Sequence, residues 1–394
     1  IQTLYYKIIS FLFIMSNLIF NQNNPLAHID QSQILKQKIM SIHTTDRDKT
    51  KWPYGNEFEI QLPEKMTNVQ SMRLVTISLP TNQYVFSNEY QNTKLSFSVT
   101  FDSSNNTTNI NGKTHDYIIT IDEGSYSAEQ LVTELENKMN NEVNNDASWN
   151  TTTFGTYNYF NHYFNKIQYK FMFGNIRDNF KLLFNTQHTY TTNYKQPTMW
   201  NNYSHWGLPA YLGFDKKIYN ASTKTTPYKI DYDSDNWLVK TQASDNPEGN
   251  VYYYIAPYNL DIFGDTVIYM EIDKYNTINE LEPYSTNTSS TYNNDYSGKV
   301  NSAFAKIPLI ASTYGQLFDS RNGFLNNLVI FKPPVKKVDR LKFKFRYHDG
   351  RLVDFKNMPF SFSIEFNQLQ DSQIANWRHR EEASYAIAQN KALL

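Results

Sequence analysis

Between residues 341 and 347 the side chains of Leu341, Phe343, Phe345 and Tyr347 alternate with those of Lys342, Lys344 and Arg346. A period of two places the first set on one face and the second on the other, which predicts a strand with one buried and one wet side. His348-Asp349-Gly350-Arg351 follows. Gly350 can take the positive φ of a tight reversal, so residues 352–355 are expected to run back beside the first strand. Beyond Asn357-Met358-Pro359, the residues Phe360, Phe362, Ile364 and Phe366 alternate with Ser361, Ser363 and Glu365, predicting a third antiparallel strand.

The same alternation recurs upstream. After the turn-forming Pro53-Tyr54-Gly55-Asn56, the apolar Phe58, Ile60 and Leu62 share one face; a second run, 69–79, ends at Pro80. Leu95, Phe97, Val99 and Phe101 form a third, and 117–121 a fourth after the Asn/Ser/Thr tract 102–114. One helix interrupts the series. Ser127 and Gln130 have the spacing of a capping box, and Leu131, Leu135, Met139 and Val143 recur every four residues as a core-facing stripe. Shorter strands are expected at 167–173, 180–184, 251–256, 266–272, 303–310 and 328–331, a packed turn at 206–214, and loops at 144–165, 216–249 and 276–298. Residues 31–42 read as a short helix or an arm, and residues after 366 as a polar, helical tail with Trp377, Tyr385, Ile387 and Leu393.

Many short strands with one helix imply a mainly β fold, a jelly-roll β-sandwich with an inserted α/β region and a short helical C-terminal tail. The expected division is an extension over 1–45, a sandwich from 46–121 and 236–366, an insertion over 122–235 and the tail over 367–394. The chain has 394 residues, including 30 Tyr and 26 Phe but 13 Gly, as aromatic-rich sheets require. A formal charge of −1 argues against general nucleic-acid binding, and the lack of cysteine excludes disulfides, thiol nucleophiles and thiolate metal sites. Residues 4–20 are mostly apolar but carry Lys7 and fall short of the ~20 residues of a membrane span. They are read as an extension, with membrane contact as the lesser alternative and Met15 and Met40 as candidate starts.

Candidate chemistry is sparse. Asp231, Asp233 and Asp235 alternate as calcium-loop acids do, but Asn236 replaces the required glycine and Gln242 the closing glutamate, so an acidic turn is the preferred reading. Asp46-Arg47-Asp48 reads as a local ion-pair turn. His188 and His205 belong to no metal or deaminase motif, and neither a nucleophile elbow nor a P-loop is present. Asn-x-Ser/Thr triplets at Asn105, Asn106, Asn150, Asn202, Asn220 and Asn287 are expected by chance in this composition. No catalytic, cofactor-binding or metal-binding residue is nominated.

Several segments, in this order, resemble the penton and minor capsid proteins of large nucleocytoplasmic DNA viruses. They are SIHTTDRDKTKWPYGNEFEIQLP with NVQSMRLVTISLP, IDEGSYSAEQLVTELENKMN, LPAYLGF, AFAKIPLI and RLKFKFRYHDGRLVDFKNMPFSFSIEF, together spanning about residues 41–366. The resemblance implies a jelly-roll structural protein of an icosahedral virion, assembled in the host cytoplasm, with no catalytic residues and no cofactor. Its implied partners are the major capsid protein and other capsid subunits, with a homo-oligomer, a pentamer if it is the penton, and no direct nucleic-acid contact. Loops 150–164 and 276–298 and arms 21–45 and 367–394 are the expected contact elements. Two further readings are a vertex-displayed receptor- or glycan-binding module and a carbohydrate-active enzyme with facing carboxylates.

Overall fold

The computed structural model describes residues 33–80, 83–101, 112–147, 149, 155–193, 195–225, 238, 250–281, 300–309, 316–319 and 327–371. The protein is mainly β, with curled sheets built as sandwiches around two apolar cores.

The first core lies on a seven-stranded sheet. Its path runs from β1 (Gln33–His43) through β17 (Ser361–Asp371), β2 (Glu57–Leu79), β16 (Val329–Arg346) and β11 (Val267–Ile272) to β14 (Ala305–Pro308), with β15 (Gln316–Asp319) on β2. Residues 58–62 and 69–79, expected as two strands, are one 23-residue strand. The same holds for 328–331 and 341–347, which join in β16. The prolines that suggested breaks sit where the ladder skips: Pro63 between the pairs Gln61–Arg340 and Met66–Val338, Pro333 and Pro334 between Ser71–Ile330 and Val69–Val335. A missing N–H costs nothing there, and the irregularities let the strands bend. The bend makes the sandwich. Phe58 and Ile77 would be roughly 60 Å apart on a straight strand, yet the Phe58 ring lies 6.5 Å from that of Phe362, the partner of Ile77.

The second core lies between two four-stranded sheets. One has the order β4 (Thr114–Thr120), β3 (Lys94–Thr100), β7 (Asn179–Leu183), β8 (Ile218–Asn220); the other β5 (Tyr163–Asn165), β6 (Lys170–Asn175), β10 (Asn250–Ile255), β9 (Ser222–Thr225). Phe97 on β3 meets Phe160 at 5.4 Å, and Tyr219 on β8 meets Tyr254 on β10 at 4.9 Å, so the sheets face each other. Helix α1 (Ala128–Asn144) packs against β4 and β5 and buries Leu131, Leu135, Met139 and Val143; the Ser127–Gln130 capping box forms. A one-turn helix α2 (Leu208–Tyr211) lies in the expected packed turn. The strands at 94–120 were expected in the flanking sandwich; they pack instead with α1, because their shared face, Leu95, Phe97, Val99 and Phe101, points into this core. A small separate ladder pairs β12 (Ile278–Leu281) with β13 (Val300–Ala303).

Three further expectations change. Residues 33–43, expected as a helix or arm, are β1, paired along their length with β17. Residues 352–355 run back beside β16 only as far as Val353, through the bridge at Leu352 and Val353 N–H on the Phe345 carbonyl, since side chains take the other backbone groups: Gln196 receives Leu352 N–H and donates to its carbonyl, Asn56 donates to the Val353 carbonyl, and Tyr90 Oη receives Asp354 N–H. The strand after Pro359 therefore pairs with β2 and β1. Finally, Tyr157, Tyr159, Phe160 and Phe164, assigned to a contact loop, are core residues. The acidic turn at 231–235, the apolar extension 1–32, the loop 282–298 and the tail 372–394 lie outside the described residues.

Candidate functional site

One buried guanidinium, that of Arg351, holds the joint between the cores, and a second, that of Arg346, is buried nearby in sequence. Turn 348–351 forms as expected, with Gly350 at φ +87° and Arg351 N–H on Asp349 Oδ1 at 3.1 Å. It carries Arg351 inward until the side chain is fully buried. There its Nε donates to Asp349 Oδ2 at 2.7 Å and its Nη2 to Asp265. The guanidinium carbon lies 5.0 Å from the Tyr90 ring centre and 5.2 Å from that of Tyr347, and the two hydroxyls meet at 3.1 Å. Burial opposes the charge, but Tyr211, Asp349, Asp265 and Tyr90 outweigh it and hold Arg351 protonated. Tyr90 and Tyr347 belong to the first core and Tyr211 to the second, so one cation ties both. Arg346 reaches Glu271 and Glu280 over the Tyr269 ring, and His348 Nδ1 lies 3.1 Å from Glu280. The carboxylates Asp265 and Asp349 converge on Arg351, and burial raises the pKa of Asp265 against the pull of that guanidinium.

The sequence candidates disperse. Asp46-Arg47-Asp48 makes no ion pair among its members: Arg47 donates to the carbonyls of Thr44, Trp52 and Pro53, while Asp48 caps Thr50 and Lys51 N–H. A turn with open carbonyls suits a guanidinium fork better than a neighbouring carboxylate does. His188 and His205 have separate partners, Ser96 Oγ at 3.3 Å and Asp261 Oδ2 at 3.0 Å. Among the described residues no cluster of His, Asp or Glu is placed to hold a metal ion, and no helix is long and apolar enough to cross a membrane.

Two surface features remain. Strand β1 is the end of its sheet and, among the described residues, pairs only with β17. Gln33 lies opposite Asp371, at one corner of the sheet. Register places Leu35 and Ile39 on the same outer face as Ile330 and Leu328, on either side of the Arg73–Glu365 ion pair, and each of the four is 53% exposed. The second feature is a narrow cleft of about 20 Å³ in the second sandwich, lined by His188, Tyr190, Trp200 and Trp206. Sequence reasoning named His188 but not the tryptophans, which follow no motif.

Among solved structures, the fold is similar to the crystal structure of the mavirus penton protein at 11% sequence identity, covering 85% of this chain and 98% of that one, with a TM-score of 0.34. No curated protein matches in sequence. Residues 28–328 match the family of unknown function DUF5901, and the chain belongs to that family.

Proposed function

We propose that this chain is a structural subunit of an icosahedral virus shell, a penton or minor capsid component that fits against copies of itself and the major capsid protein. The observation that carries the reading is the open edge. Among the described residues, this 11-residue strand leaves one row of backbone donors and acceptors unpaired beside a half-exposed apolar face, with Gln33 opposite Asp371 at one corner. Such an edge is a template for pairing with another chain unless it is covered, and charge on it is the usual protection. Here the Lys38 charge is engaged by Glu64. The segments that resemble capsid proteins also build the scaffold: they supply β2, α1, α2, β14 and the β16–β17 region.

The contact surface in this reading is β1 with the Leu35, Ile39 and Ile330 face, in place of loop 150–164, where Tyr157, Tyr159, Phe160 and Phe164 are internal. The double substitution Leu35→Glu, Ile39→Glu leaves the core untouched and is expected to keep the melting temperature while sharply lowering incorporation into particles. Incorporation at the wild-type level by a folded double variant, or absence of the wild-type chain from washed particles, would overturn the assignment.

A further inference from the structure

We infer that the free edge of β1 takes up an extended strand of a companion protein, one in which carboxylate side chains alternate with apolar ones, and rejects a second copy of itself. The inference rests on the reading of β1 as the contact surface and adds the chemistry of the partner. Thr44 N–H donates to the Phe360 carbonyl at 2.9 Å, whereas His43 N–H turns away to Asp46 Oδ2 at 3.3 Å. The register of β1 on β17 is constant over Gln33–His43, and the Thr44–Phe360 pair continues it. In an antiparallel ladder both backbone groups of a residue face the same neighbour. Even-numbered residues therefore bond β17, and Leu35, Gln37, Ile39 and Ser41 present their N–H and C=O groups outward.

Side chains make that edge selective. Leu35 and Ile39 flank Gln37 on the outer face and offer apolar contacts to an added strand. On the opposite face Lys36 and Lys38 precede Met40 and Ile42, which turn into the core. No acid occurs in β1, and among the described residues the two lysines share one carboxylate. That is Glu64, ion-paired with Lys38 and held below the usual carboxylate range by Lys38 above all and by Lys36 to a lesser degree. One carboxylate for two ammonium groups leaves the edge cationic. A second copy is the wrong partner for this reason. Two β1 edges paired antiparallel with Leu35 opposite Ile39 also set Lys36 opposite Lys38, twice. These are the positions between hydrogen-bonded pairs, where opposed side chains are closest and like charges repel. A strand with Glu or Asp opposite Lys36 and Lys38, and Val or Ile between, satisfies both faces, so the lysines that exclude one partner select the other.

The test titrates the full chain into two labelled peptides, Thr-Val-Glu-Val-Glu-Val-Thr and its counterpart with Lys in place of Glu, read by fluorescence anisotropy at low salt and by hydrogen exchange. The acidic peptide should bind about tenfold more tightly, the swing expected when two cross-strand pairs change from like to opposite charge. It should also slow amide exchange within residues 35–41. Lys36→Glu, at an exposed position, should bring the two peptides to near-equal affinity. Gln37→Pro removes an outward N–H from an edge strand, where proline is accommodated, and should abolish binding while the chain stays folded. Binding of neither peptide at millimolar concentration, equal affinity of the wild type for both, or unchanged exchange within 35–41 would overturn the inference. So would a wild-type dimer that Gln37→Pro dissolves. Should Gln37→Pro not fold, Lys36→Glu decides the matter in its place. If the peptides fail while Leu35→Glu, Ile39→Glu still blocks incorporation into particles, the partner chemistry falls alone; if the wild-type chain is absent from washed particles, the shell reading falls and the measured edge binding stands.

Discussion

His162 makes the second core acid-sensitive by an amount the structure fixes. Its imidazole is buried among Phe160, Phe171 and Phe173, with Gly174 N–H donating to Nδ1 at 3.4 Å and Nε2 facing Met139 Sδ at 3.2 Å. An Nδ1 that accepts a proton donor is unprotonated, so the folded ring is neutral. Burial pushes its pKa from 6.5 down to about 3. The unfolded chain therefore binds a proton below pH 6.5 that the folded chain refuses, and stability falls with pH through that window until about pH 3. Each unit costs about 1.4 kcal/mol, so roughly 2 kcal/mol is lost between pH 7.5 and 5. Glu136, whose carboxylate receives the His162 N–H, has its pKa raised by burial and contributes with the opposite sign. The comparison is with His162→Gln, which keeps an acceptor, does not titrate and leaves Glu136 in place. Urea unfolding followed by tryptophan emission should show the wild type losing about 2 kcal/mol more than the variant over that interval. Parallel losses in the two proteins would refute the argument.

Arg351→Met should cost about 3–5 kcal/mol, because it strands Asp265 and Asp349 in the joint; calorimetry should also resolve two transitions where the wild type gives one. Gly213 has φ +85°, and a Cβ there would strike the Tyr258 carbonyl, so Gly213→Ala should lower stability by at least about 2 kcal/mol and speed proteolysis within residues 257–263. Leu135→Ala, under α1, should cost roughly 2–5 kcal/mol in urea unfolding, whereas Thr133→Ala on the exposed side should be nearly neutral.

Local pattern proved enough where an element buries one face and wets the other. The α1 stripe, the 341–345 alternation of β16 and the turn at Gly350 are all legible for that reason. It failed at β1, whose burial is confined to its end near Met40 and Ile42, so that no two-residue rhythm is written in Gln33–His43. It failed again at Tyr157–Phe160, in an Asn- and Thr-rich stretch that reads as loop. A buried loop must find partners for its backbone, and here two helix asparagines supply them. Asn144 receives Tyr157 N–H at 2.6 Å and donates to its carbonyl at 2.9 Å; Asn140 does the same for Phe160 at 3.0 and 3.1 Å. These side chains stand in for a neighbouring strand.

The joint was beyond such reading for a different reason. Arg351 has the look of a turn residue, and its burial is decided by Tyr90 and Asp265, residues distant in sequence. A well-packed apolar cluster would hold two cores together as firmly as a buried cation, since desolvation takes back much of what the ion pairs give. An apolar contact, however, tolerates sliding, whereas a planar guanidinium fixed by two carboxylates and two rings accepts one geometry. Gln196 adds to that constraint by clasping both backbone groups of Leu352 from the second core's side. The consequence is orientational: the Arg351 joint holds the two sandwiches at one angle.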